Sequence, residues 1–134
     1  MKYIFIKIAL FRRKEIAIVH GDVSVDDREF IRLNAEKKDN MIILASYGTF
    51  STGINIPSIE NIIFASPSKS RIRNLQSIGR GLRLKEGKDA CNLFDIADDL
   101  TYKSWKNHTL NHFLERVKLY SEEQFKVKIV ELDL

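Results

Sequence analysis

Four short apolar runs, IAIVH at 16–20, MIILAS at 41–46, NIIFA at 61–65 and ACNLFDI at 90–96, are separated by longer stretches of helical periodicity. Runs this short and rich in branched residues, spaced by some 15 to 25 positions, leave too much chain between them for tight hairpins. The alternation therefore constrains the chain to an α/β fold, a parallel sheet with helices on both faces. MIILAS, dense in branched residues, reads as a strand buried on both sides.

The segments between the runs carry helix signals. Asp26 with Glu29 three residues on has the form of a capping box opening a helix to Lys38, and Ser70 reads as the cap of a helix over 71–82. A long helix is expected over 102–120, where Trp105, Leu110, Phe113, Leu114, Val117 and Tyr120 recur near every third or fourth position. FKVKIVEL at 125–132 alternates as an edge strand would. The first dozen residues are β-rich, yet their place just ahead of the first run reads as a helix. At 134 residues the chain is expected to be one domain: a degraded N-terminal part at 1–15, a core at 16–96 and a helix-and-strand extension at 97–134.

Charge narrows the partners. The net charge of +4 is small, but residues 69–88 alone hold seven bases (Lys69, Arg71, Arg73, Arg80, Arg83, Lys85, Lys88) against Glu86. A local excess of this kind favours a polyanion, or is simply a solvated helix face. Cys91 has no second cysteine to pair with, and its apolar neighbours point to a buried thiol in a cytoplasmic protein. The opening MKYIFIKIALF is interrupted by Lys7 and followed by Arg12, Arg13 and Lys14, which is not the form of a signal peptide. No apolar stretch approaches the length of a membrane span. His108 and His112, four apart, lack a third metal ligand at fixed spacing and read as polar helix positions, so no metal site is expected. Trp105, Phe113 and Tyr120, at helical spacing, read as core rather than as a stacking platform.

Two segments can carry chemistry. ASYGTFSTGINIP at 45–57 follows a strand and is rich in small hydroxyl residues and glycine, which suit phosphate oxygens but also suit a plain connector. QSIGRGLR at 76–83 sets Arg80 and Arg83 three apart on one side of a helix, where both forks can face one anionic centre. Gly79 and Gly81 each weaken a helix by about 1 kcal/mol relative to alanine, which close backbone approach would explain. A basic helix end that complements the helix dipole explains the same arginines.

Taken together, the segments resemble a known family. QSIGRGLR matches the Q-x-x-G-R-x-x-R element called motif VI in superfamily 2 helicases, and STGINIP resembles motif V of the same proteins. HGDVSVDDRE at 20–29 is similar to the strand end and helix between their motifs IV and V. DIADDLTYKSWKNHTLNHFLERVKLYSEEQF resembles the C-terminal region of the UvsW-type phage helicases. The resemblance implies the second of two RecA-like lobes, with ATP bound between lobes. It implies that Arg80 and Arg83 reach the γ-phosphate, with Gln76 near the γ-phosphate or the attacking water, and that Gly53, Asn55 and Gly79 line the nucleotide side. Many relatives carry Asp where Asn55 stands. It further implies nucleic-acid backbone contacts, with DNA favoured over RNA, from His20, Gly21, Ser46, Thr49, Thr52, Lys69 and Arg71.

The departures matter as much. No G-x-x-x-x-G-K-[ST] and no D-E-x-H stretch occurs, so ATP and Mg²⁺ are expected only alongside a P-loop lobe in cis or in trans. The motif IV strand reads as missing or degraded, which would expose a sheet edge to self-association. The resulting expectation is half of an ATP-dependent motor, inactive as an ATPase alone. The alternative is a stand-alone, non-catalytic module that binds nucleic acid or a helicase.

Overall fold

The computed structural model describes residues 14–53, 55–65, 68–83 and 85–132. The expected N-terminal helix lies outside these residues. In chain order the elements are β1 (Glu15–Val19), α1 (Val25–Lys37), β2 (Met41–Ala45), α2 (Tyr47–Gly53), β3 (Asn61–Phe64), α3 (Arg71–Gly81), β4 (Asn92–Asp95) and α4 (His108–Glu122). Among the described residues the strands form two parallel pairs, β1 with β2 and β3 with β4. Val19 lies opposite Ala45 in the first pair and Phe64 opposite Asp95 in the second, so the strands of each pair end together.

The four apolar runs hold the four strands: the first is shifted back by one residue to Glu15, the next two each end one residue early, and the last loses three residues. Burial alternates along β3 and β4 and over the last three residues of β1. Ala17 and Val19, and Ile62 and Phe64, face inward, whereas Ile18, Ile63 and Phe94 remain 40%, 46% and 53% exposed. The expectation that β2 is buried on both sides is corrected, since its residues are half-buried or exposed. Ala35 of α1 packs on Val19 and Ile56, with Ile31, Met41 and Ile43 around them. Ile78 of α3 and Leu119 and Tyr120 of α4 pack on Ile62 and Phe64. Ile59 touches both clusters and joins them into one core.

Local chemistry accounts for most boundaries. The cap of α1 is Ser24 rather than Asp26: its extended backbone lets Oγ accept from the Asp27 amide at 3.1 Å while donating to the Asp27 carboxylate at 2.7 Å. Glu29 turns instead to Arg32, which it meets at 2.6 Å. Ser70 caps α3 as expected, accepting from the Arg73 amide at 3.4 Å.

The C-terminal region departs further. Helix α4 begins at His108, not near 102, because Tyr102 and Trp105 pair through their backbones in a turn that holds Lys103 at φ 54. Asn107 secures this entry, donating to Asp98 O at 2.9 Å and accepting from the Leu100 amide at 3.1 Å. Trp105, expected in the core, is therefore 63% exposed, while Tyr120 on the helix proper is 5% exposed. Residues 125–132 form no strand: their alternating side chains meet no partner strand among the described residues, and Ile129, Val130 and Leu132 stay exposed.

A buried staple fixes α4 to the sheet. Arg116, 2% exposed, donates from Nε and Nη2 to the two oxygens of Asp95 at 2.6 and 2.7 Å, and from Nη1 to Ser68 O at 3.2 Å. The Tyr120 hydroxyl donates to the same carboxylate at 2.7 Å. Fork and carboxylate are matched in geometry and charge, as a buried pair needs to be to offset its desolvation. Burial opposes the Arg116 charge, but the Asp95 carboxylate outweighs it and raises the guanidinium pKa.

Candidate functional site

Parallel register brings one set of sequence-selected residues together. His20 follows β1 and Ser46 follows β2, and the Ser46 amide donates to Val19 O at 3.2 Å, so the two strand ends lie side by side. His20 and Gly21 are exposed, in a turn where the Val23 amide donates to His20 O at 3.2 Å. Arg28 of α1 reaches back to this turn, donating from Nε to Val23 O at 2.8 Å and from Nη2 to Gly21 O at 2.9 Å. Sequence reasoning passed over Arg28, although a basic residue one helical turn beyond a capping serine is well placed to grip the preceding loop.

The segment expected to be a loop after β2 contains the seven-residue helix α2. Ser46 stands at its start: the Phe50 amide donates to Ser46 O at 2.9 Å, and the Ser46 and Thr49 hydroxyls share a bond of 2.8 Å. Thr49 is only 8% exposed, so its hydroxyl serves this first turn, while Ser46 faces solvent. Thr52 and Gly53 lie in the last turn of α2. Lys69 is exposed between β3 and α3, whereas Arg71 is held by Glu122 and by Glu123, the latter at 3.2 Å.

The arginines of QSIGRGLR lie elsewhere. Helix α3 starts beyond the end of β3 and runs back toward the starts of β3 and β4, so its C-terminus sits at the opposite end of that sheet. Glycine makes this docking possible. A Cβ on Gly81 would lie 2.5 Å from Cys91 Sγ and 2.7 Å from Ile62 Cδ1, whereas one on Gly79 would meet nothing within 4 Å. Gly81 is the buried contact with the sheet, and Gly79 is exposed on the open side with Gln76. Cys91, half-buried just before β4, has its thiol pKa pushed up by burial.

Arg83 lies just past Leu82, the C-cap of α3, and donates from Nη1 to Oδ1 of Asn55. That bond joins the STGINIP and QSIGRGLR segments directly, 28 positions apart in the chain. Arg83 is exposed, and its recorded side-chain partner is this neutral amide rather than an acid. Burial first, and then the charge of Arg83, lowers the pKa of Arg80. The two guanidinium groups thus lie close enough for the charge of one to bear on the other. Among the described residues no group of three or more His, Cys, Asp or Glu is arranged to hold a metal, and no helix is long and apolar enough to cross a membrane.

These features define a helicase-type RecA-like lobe, and the comparisons agree. The helicase conserved C-terminal domain model matches residues 2–85, so this chain belongs to that family. The match starts ahead of β1 and takes in the N-terminal stretch that the motifs alone left aside. The chain is 32% identical over 121 residues to the ATP-dependent DNA helicase uvsW of Enterobacteria phage T4, covering 83% of this chain and 24% of that protein. It is 43% identical over 54 residues to the putative ATP-dependent helicase IRC3 of Saccharomyces cerevisiae, covering 40% of this chain and 8% of that one. It therefore spans a quarter or less of the length of these relatives. The crystal structure of the C-terminal part of the Fun30 ATPase domain superposes with a TM-score of 0.60 at 17% identity, over 89% of this chain and 44% of that one, which shows the shared fold.

Proposed function

We propose that this chain is the second lobe of an ATP-dependent helicase or translocase, with Arg83 and Arg80 facing the γ-phosphate of ATP held by a P-loop lobe. The observation that carries this reading is the exposed Arg83, aligned by neutral Asn55 and set beside a second arginine. An exposed cation aligned by a neutral amide, with no acid bonded to it among the described residues, suits a phosphoryl group whose negative charge grows in the transition state, where such an arginine is worth about 10³ to 10⁵ in rate. Gln76 and Gly79 share the open side of α3, which lets water and nucleotide approach. Mg²⁺ would be held by the P-loop lobe, since this chain carries neither the Walker lysine nor the acidic pair.

The other end of the lobe supplies the track. His20, Gly21, Ser46 and Lys69, with Thr52 nearby in sequence, would contact the sugar-phosphate backbone, and DNA is favoured by the uvsW likeness. Binding of this kind is largely blind to sequence and weakens steeply with salt. The test is nucleic-acid-stimulated ATP turnover by a P-loop lobe with and without this chain joined to it. Stimulation that requires this chain is expected; retained nucleic-acid binding with no stimulation would instead indicate a non-catalytic module.

A further inference from the structure

We infer that Lys88 is a positioning residue for Arg83, holding the arginine and its Asn55 partner in register; this rests on the reading of Arg83 as the γ-phosphate-facing group. The Lys88 ammonium donates to three backbone carbonyls: Pro57 O at 3.0 Å, Arg83 O at 3.1 Å, and Gly81 O. An ammonium has three N–H donors, and all three are used on the two segments that meet at the Arg83–Asn55 bond. Pro57 lies two residues after Asn55, while Gly81 ends α3 and Arg83 is the arginine itself.

The site is built for a cation. Carbonyls in the last turn of a helix lack helical partners and carry the negative end of its dipole, so a lysine there satisfies them and is held by them. On its other side the same turn is pressed against Ile62 and Cys91 through Gly81. The chain returns Lys88 to this place by a tight turn in which the Lys88 amide donates to Lys85 O at 3.1 Å. Gly87 occupies the third position of that turn at φ 77, a conformation that a side chain disfavours. Helix end, arginine, Asn55 segment and turn thus form one closed unit, and the link that closes it is Lys88. None of the four family motifs quoted above includes this lysine.

The test compares Lys88→Met, Arg83→Ala and the double variant in the two-lobe protein, reading kcat and the KM for ATP alongside the melting temperature. Lys88→Met is expected to lower kcat about tenfold with KM changed less than twofold, and to add little once Arg83 is gone, because coupled residues are not additive. If Arg83→Ala loses turnover while Lys88→Met keeps it, or if the two effects multiply in full, the positioning role is overturned and the reading of Arg83 stands. If Arg83→Ala keeps full turnover, that reading fails and takes this inference with it. Should Lys88→Met not fold, Gly87→Ala displaces the ammonium without removing it; a loss in kcat is again expected, and an unchanged kcat overturns the role.

Discussion

Arg116 and Arg83 are both arginines that join distant segments, yet they are held in opposite ways. Arg116 is 2% exposed and meets a carboxylate, a carbonyl and a tyrosine-bridged network. Arg83 is exposed and meets one neutral amide. The first arrangement uses the guanidinium's charge to satisfy another buried charge, so its charge is spent within the fold. The second aligns the fork with no acid bonded to it among the described residues, which is how a lobe would present a cation to a ligand held elsewhere. The same residue type closes a buried pair at one end of the molecule and, on the proposed reading, is held for a ligand at the other.

Substitutions can break this contrast, and the largest effect on stability is expected at the staple. Asp95→Ala strands the buried Arg116 charge and should destabilise the fold by about 3–5 kcal/mol in urea unfolding; a loss below about 1 kcal/mol would show that the network is not a buried pair in solution. Gly81→Ala forces a methyl into Cys91 and Ile62 and should cost about 1–3 kcal/mol. Gly79→Ala, two residues away in open space, should instead stabilise by about 0.5–1 kcal/mol; equal effects at the two glycines would contradict the docking of α3.

The smallest effect is a titration. Burial pushes the Tyr47 phenol up to about 12, with Arg116 opposing and Asp95 adding. Burial and the hydrogen bond to Asp95 raise Tyr120 as well. The folded state then keeps the Tyr47 proton above the usual value of 10.0 while the unfolded state loses it, so stability should fall as pH rises from about 10 to about 12. Tyrosinate absorbance checks this: Tyr47 ionising near 10 in the folded chain would mean that its surroundings are wetter than described.

The two ends also differ in how far they could be read from residues alone. The strands were legible because branched runs of four or five residues have few other uses, and Ser70 marked α3 for the same local reason. Helix α2 was not, because YGTFSTG is short and poor in helix formers, and what starts it is the hydroxyl bond between Ser46 and Thr49. Trp105 fell on the helical period by coincidence, since Asn107 diverts the chain into a turn first. The Arg80 and Arg83 pair was visible as a local motif, but its link to Asn55 spans 28 positions and the Arg116–Asp95 staple spans 21. Local spacing carries no trace of such contacts. Ser24 caps α1 in place of Asp26 because its side chain closes on Asp27.

In the proposed function Arg83 is held for a nucleotide rather than for the fold. This is tested most directly by single-turnover ATP hydrolysis in the two-lobe protein bearing Arg83→Ala, with nucleic acid saturating. A fall of about 10³-fold or more is expected, with ATP binding and melting temperature nearly unchanged. Hydrolysis within about twofold of the parent, or a loss explained by unfolding, would contradict it.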